Sequence, residues 1–205
     1  MRRIKTFLLI LLIASPIYGY SKNYKNIDPF TADGIVQAVI EIPSGTLEKW
    51  ELNKTTGKIE WEQKKGKPRI VKYLSYPGNY GFIPKTLLPK SKGGDGDPLD
   101  VIVLGEPCLR GEVVQIRLIG IMKMKDRGEQ DDKLIGVPID GVFSDVKSIK
   151  ELKSKYNGVK KILVTWFKNY KGKNKIKIKA FKEKEIANKI LFQAIKDYED
   201  IKQGE

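Results

Sequence analysis

The chain has 205 residues, 39 of them Lys or Arg, 25 Asp or Glu and none His, for a formal charge of +14 at pH 7. A hydrophobic fraction of 40% supports a core and excludes wholesale disorder, and the length allows one ordinary domain or two small ones. The missing histidine excludes a Ser-His-Asp triad, a Cys-His dyad and His-ligated metals, and the single cysteine, Cys108, excludes an internal disulfide framework and a Cys-only zinc cluster.

Taken in order, the chain opens with Arg2, Arg3 and Lys5, an apolar run from Phe7 to Ala14, then Ser15, Pro16 and Gly19. These are the charged, apolar and small-residue regions of a secretory signal. The run is short for a membrane span, so cleavage after Gly19, export to the periplasm and no stable membrane anchor are expected; an uncleaved interfacial anchor is the alternative. Residues 20–205 are expected to form a single domain. Val36 to Ile42 is β-branched, ends at Pro43 and reads as a strand. Trp50–Leu52 and Ile59–Trp61 flank the turn Asn53-Lys54-Thr55-Thr56-Gly57 as a hairpin, and Lys64 to Pro68 is a second exposed turn. Val101–Leu104, Val113–Met124 and Ile135–Val137 are apolar enough for buried strands.

The period then changes. Val146, Ile149 and Leu152 lie at helical spacing, with Ser144 as the expected N-cap. Ile162, Leu163, Trp166, Phe167 and Tyr170 form the expected apolar face of a second helix. Ile176, Ile178 and Ala180 alternate with lysines as a one-sided strand. Ile186, Ile190, Ala194, Ile195, Tyr198 and Ile201 give a closing amphipathic helix. Antiparallel-looking strands first and helices late predict an α+β fold around a small closed or curved sheet.

Three constellations carry the chemistry. Asp95-Gly96-Asp97-Pro98-Leu99-Asp100 places three carboxylates within six residues. They repel one another unless a hard cation sits between them or the turn is simply solvated. An EF-hand register fails, because its sixth position is Asp100 where glycine is required. Asp126, Glu129, Asp131 and Asp132, followed by Lys133, form a second acidic loop at a strand end, and two such loops together make a shared divalent-metal site plausible. The third set is basic and phenolic: Lys49 two residues from Glu51, then Arg69, Tyr76 and Tyr80 around a central turn, and Tyr170-Lys171. From Lys160 to Lys184 there are ten lysines and one acid, Glu183, mostly on a solvated face. Donors of this kind opposite bound divalent cations are what a polyphosphate needs. No Gly-Lys pair is followed by Ser or Thr as in a Walker A loop, and Cys108, with no histidine to activate it, reads as a packed side chain.

Val39-Ile40-Glu41-Ile42-Pro43, Lys49-Trp50-Glu51, Tyr76-Pro77-Gly78-Asn79-Tyr80-Gly81, Asp95 to Asp100, Asp126 to Lys133 and Tyr170-Lys171 together resemble the soluble family I inorganic pyrophosphatases from about residue 35 to 200. The Asp-Gly-Asp-Pro-aliphatic-Asp element is the most specific part. The resemblance implies a small five-stranded OB-like β-barrel with flanking α-helices, and Mg²⁺-dependent hydrolysis of pyrophosphate to two phosphates with several Mg²⁺ per site. Carried over, Asp95, Asp100 and Asp131 bind the tighter metal. Asp97 is the general base toward a metal-activated water and lies beside two metals. Asp126 and Asp131 bind metals arriving with substrate, Glu51 another, and Glu41 holds outer-shell water. Lys49, Arg69, Lys133, Tyr170 and Lys171 hold phosphate oxygens, supported by Tyr80. Arg69 lies in a segment whose length departs from the family pattern. The resemblance also implies a homo-oligomer, often a hexamer in bacterial-type members. The competing reading is a basic OB-like nucleic-acid-binding module, against which the acidic cluster counts because it would repel a phosphodiester backbone.

Overall fold

Runs of Val, Ile and Leu become strands wherever turn residues bound them. The computed structural model describes residues 22–204, and the apolar N-terminal segment with its expected cleavage point lies outside the described residues. In chain order the strands are β1 (Val36–Ile42), β2 (Trp50–Leu52), β3 (Ile59–Trp61), β4 (Gln63–Lys64), β5 (Lys67–Pro68), β6 (Asn79–Phe82), β7 (Asp100–Val103), β8 (Val113–Asp126), β9 (Glu129–Gln130) and β10 (Lys133–Pro138). Helices α1 (Ile149–Lys155) and α2 (Val159–Asn169) follow, then β11 (Ile176–Glu183) and α3 (Lys184–Gly204). No helix among the described residues is long and apolar enough to cross a membrane.

The expected α+β class is what the elements form, a mixed sheet with few helices. β1 pairs with both β6 and β8, β6 with β7, β7 with β10, and β10 with β8, so the hydrogen bonding of five strands returns on itself. β11 lies along the far half of β8, and β9 folds back on its end. β2–β3 and β4–β5 are separate hairpins, as the sequence predicts. One pairing departs from the antiparallel expectation: β7 and β10 run parallel, with Val101 opposite Leu134. The long β8 stands between them in sequence and reverses the chain, so β10 re-enters in the direction of β7. That register sets the first residue of β7, Asp100, beside the first residue of β10, Lys133.

Successive strand residues face two apolar layers. Ile42, Ile102, Ile119 and Met122 join Ile149 and Leu152 of α1 and Leu163, Trp166 and Phe167 of α2. Ile40, Val101, Val103 and Ile121 join Ala187, Leu191 and Ala194 of α3. Three details differ from the sequence expectation. α1 is capped by Ser148, whose Oγ accepts from Glu151 N at 3.0 Å; Ser144 instead donates to Gly141 O within the preceding turn, to which Val146 belongs. Ile162 is exposed on α2 while its neighbour Leu163 is buried. α3 turns its small Ala187 and Ala194 inward, allowing close approach to β8, and leaves Ile186 and Ile201 in solvent.

Two contacts fix the strand ends that carry the polar residues. A Cβ on Gly81 would lie 1.9 Å from Val39 O, so only glycine lets β6 lie this close to β1. Asn79, fully buried, accepts from Ser44 N (3.0 Å) and Cys108 N (2.9 Å) and donates to Glu106 O (2.8 Å), joining the turn after β1 to the loop after β7. Asn79→Ala leaves two half-buried amides without their acceptor and is expected to lower stability by about 1–3 kcal/mol in urea unfolding. A loss under about 0.5 kcal/mol would contradict this role of the side chain.

Candidate active site

The polar residues singled out in the sequence sit at element ends. Glu41 is near the end of β1, Glu51 on β2, Lys49 just before it, and Arg69 just after β5. Tyr80 is on β6, Asp95 and Asp97 in the loop before β7, and Asp100 and Lys133 open β7 and β10. Asp126 closes β8, Asp131 lies between β9 and β10, and Tyr170-Lys171 follow α2. All of these except Asp126 line one cleft of ≈ 400 Å³. Asp126 lines an adjoining chamber and reaches the cleft through Lys171, whose Nζ is 2.6 Å from Asp126 Oδ2.

Local structure explains the presentation. Gly96 takes φ +82°, the left-handed region where glycine carries no Cβ penalty, and turns the chain between Asp95 and Asp97. Asp97 N donates to Asp95 Oδ1 at 2.9 Å, and buried Thr86 accepts from Leu99 N at 2.8 Å, pinning the loop on both sides of Pro98. On the opposite wall, Trp166 donates to Leu74 O at 2.8 Å and stacks on Tyr170 with centroids 4.4 Å apart. Tyr76 packs on Trp166 at 4.5 Å. This aromatic group sets the turn that carries Tyr170 and Lys171.

The centre of the cleft is an ion cluster. The Lys133 ammonium, 2% exposed, is bound by both Asp100 Oδ2 and Asp131 Oδ1 and lies 5.7 Å from the Tyr80 ring centroid. Burial works against its charge, but Asp100 and Asp131 outweigh burial and raise its pKa. Lys49 is in the same position: burial works against the charge, while the neighbouring acids Glu41 and Glu51 (3.2 Å) oppose it. Burial pushes the Tyr80, Tyr76 and Tyr170 hydroxyls above the ordinary phenol value, so all three stay protonated donors at neutral pH. Burial also lifts Asp95 and Asp131, with Lys133 opposing. Glu41 is 5% exposed and accepts from Leu52 N at 2.6 Å; burial pushes it up to about 8 against the pull of Lys49.

The sequence reading missed two members. Lys54, at the tip of the β2–β3 hairpin, donates to Asp97 Oδ1 (2.5 Å) and Gly96 O (3.1 Å). Glu62 holds the Arg69 guanidinium with both oxygens (2.7 and 2.6 Å). Lys54 and Asp97 are 43 residues apart, and Glu62 and Arg69 meet across a turn, so neither pair has a strand or helix spacing that marks it. Within the second acidic loop the roles divide. Asp132 turns into its own hairpin, bound by Lys123, Met124 N and Gln130, while Glu129 stays exposed.

Among the described residues no three acidic side chains form a ready-made metal cage. Ammonium groups occupy the intervals instead: Lys133 between Asp100 and Asp131, and Lys54 on Asp97. The donor set nevertheless suits a hard divalent cation, being wholly carboxylate. Asp126 adds a buried Oδ1 without a hydrogen-bond partner, an acceptor whose burial calls for a cation or donor.

The family model described as inorganic pyrophosphatase matches residues 38–199. An inorganic pyrophosphatase of Aquifex pyrophilus is 41% identical over 121 residues, an alignment covering 57% of this chain and 63% of that one; the chain thus spans less than two thirds of that relative's length. The inorganic pyrophosphatase structure from Helicobacter pylori superposes with TM-score 0.69 at 36% identity, over 80% of this chain and 94% of the other. That from Thermus thermophilus gives TM-score 0.73 at 32% identity, over 87% and 99%.

The raised carboxyl of Glu41 has a signed consequence. Its folded pKa lies above the unfolded value of 4.5, so the stability it contributes is fully present below pH 4.5 and is lost as pH rises through about 8. Relative to Glu41→Gln, the metal-free wild-type chain is expected to lose on the order of 5 kcal/mol across that window in urea unfolding at stepped pH. Parallel pH profiles for the two proteins would contradict the assignment.

Proposed function

The chain belongs to the inorganic pyrophosphatase family, and from that premise we propose that it hydrolyses inorganic pyrophosphate to two phosphates in the cleft between Lys133 and Arg69. One observation carries the reading: carboxylates and ammonium, guanidinium and phenol donors line a single space together. Pyrophosphate is small and multiply anionic, and it needs both.

In this reading Asp95, Asp97, Asp100 and Asp131 hold Mg²⁺, Asp126 and Glu51 hold further ions, and Glu41 acts through the outer shell. Bound Mg²⁺ would supply positive charge at the phosphate oxygens and acidify a neighbouring water. The remaining work belongs to the chain. Lys49, Arg69, Lys133 and Lys171 bind phosphate oxygens and balance charge as it moves onto the departing phosphate. Tyr170 and Tyr80 remain protonated and donate hydrogen bonds throughout the neutral range. Glu62 fixes the direction of Arg69. Asp97, with its side chain 54% exposed, is reachable by solvent and accepts the proton of the attacking water at its carboxylate, in the role a histidine would otherwise fill.

The returning pairing of five strands supports the OB-like barrel as the finer description of the sheet. We also propose residues 20–205 as one domain, export with cleavage after Gly19, and a homo-oligomer; N-terminal sequencing of the mature protein and analytical ultracentrifugation test the last two.

Phosphate release from pyrophosphate is expected with Mg²⁺ and not after chelation, and Asp97→Asn is expected to lower kcat by about 10²–10⁴-fold with an unchanged circular dichroism spectrum. No release with Mg²⁺ would sink the activity. Undiminished turnover in the variant would sink only the role of Asp97.

A further inference from the structure

The cleft does not stop at Arg69 and Lys171. Beyond them lies a second chamber of ≈ 600 Å³, with Glu62, Arg69, Tyr170 and Lys171 common to both spaces. The chamber contributes three cations of its own: Lys64 from β4, Lys72 from the loop before β6, and Arg127 from the β8–β9 turn. Its two acids are already matched, Glu62 to Arg69 and Asp126 to Lys171. Lys64, Lys72 and Arg127 are exposed, and none of the three is in an ion pair among the described residues.

Arg127 adds an independent observation. It sits at φ +49° and is followed by Gly128 at φ +102°. A two-residue turn of this kind favours Asn-Gly, and a long side chain at the first position carries local strain. The hairpin has no need of an arginine there, yet the side chain lines the chamber.

We propose that this chamber binds the third and later phosphates of a linear phosphoanhydride chain whose terminal pair occupies the cleft, so that tripolyphosphate and longer polyphosphates are also ligands and substrates. The proposal rests on the pyrophosphate reading of the cleft. Arg69 and Lys171 belong to both spaces, so an occupant of the chamber is continuous with the ligand of the cleft. A phosphoanhydride chain meets that condition. A nucleic-acid strand would carry sugars and bases past a wall of carboxylates. The balance of the reaction is unchanged: the water oxygen joins the terminal phosphorus, and its proton passes to the Asp97 carboxylate. The bridging P–O bond breaks, and its electron pair leaves on a chain one phosphate shorter.

The test compares Lys72→Gln/Arg127→Asn with the wild-type chain; both positions are exposed, and asparagine suits the left-handed backbone at 127. The double variant is expected to keep kcat/KM for pyrophosphate within about two-fold while losing about ten-fold or more for tripolyphosphate, as the loss of two charge-assisted contacts requires. An equal change for both substrates overturns the proposal. So does a wild-type chain that neither hydrolyses nor is inhibited by tripolyphosphate, or a single-stranded RNA oligonucleotide that competes for the chamber as strongly as tripolyphosphate. If the wild-type chain releases no phosphate from pyrophosphate, the reading of the cleft fails. Calorimetric titration with tripolyphosphate, free of turnover, then decides the chamber alone: a loss of about ten-fold in affinity in the double variant upholds it, and equal affinity removes it.

Discussion

The Lys133 ammonium is the constraint on which the site depends. It is removed from water and held by Asp100 and Asp131 beneath the Tyr80 ring. A buried charge is tolerated only when opposite charges reach it, and here they come from different elements. The parallel register of β7 and β10 brings Asp100 alongside Lys133, and the β8–β9 excursion brings Asp131 back to it. In return, the ammonium gathers two like charges that would otherwise repel each other. A cation is thus built into the middle of an acidic wall, and it holds Asp100 and Asp131 close together before any metal arrives.

Much of this was legible in the sequence, for a reason specific to the residues concerned. Asp95, Asp97 and Asp100 are close along the chain, and a short loop cannot separate them whatever the fold does. Lys49 and Glu51 sit two apart on one strand and meet as the strand period requires. Long-range partners were another matter. Lys54 and Asp97 are 43 residues apart, and Glu62 meets Arg69 only because β4 and β5 turn the chain back. Pattern reading sees period and composition, and neither records which loop folds over which. The same blindness affected the helices. The closing helix is where the period places it and Ala194 is on its buried face as expected, but Ala187 and Leu191 share that face without standing in the expected set, and close packing on β8 leaves Ile186 and Ile201 in solvent.

Charge shows the same separation of scales. A formal +14 describes the whole chain, yet it does not describe the cleft, where acids and bases are interleaved. Most lysines of the late strand point to solvent, while the cations that matter are few and held in place by acids or by aromatic rings. A chain this basic attracts anions of every kind at long range. Selection among them falls to the local alternation of sign, which favours densely charged phosphate groups bridged by cations over a nucleic-acid backbone.

The dispersal of the site along the chain has a mechanical consequence. Its polar groups come from residues 41–54, from 62–80, from 95–100, from 126–133 and from 170–171, segments that meet only when the five-strand circuit is complete. Any ligand that touches both walls is therefore a reversible staple across the entire chain, in a protein whose lone cysteine can form no internal covalent one. Such a ligand binds the folded state and has no counterpart site in the unfolded chain, so its occupancy adds directly to thermal stability by mass action. The melting temperature of this protein becomes a readout of what fills its cleft.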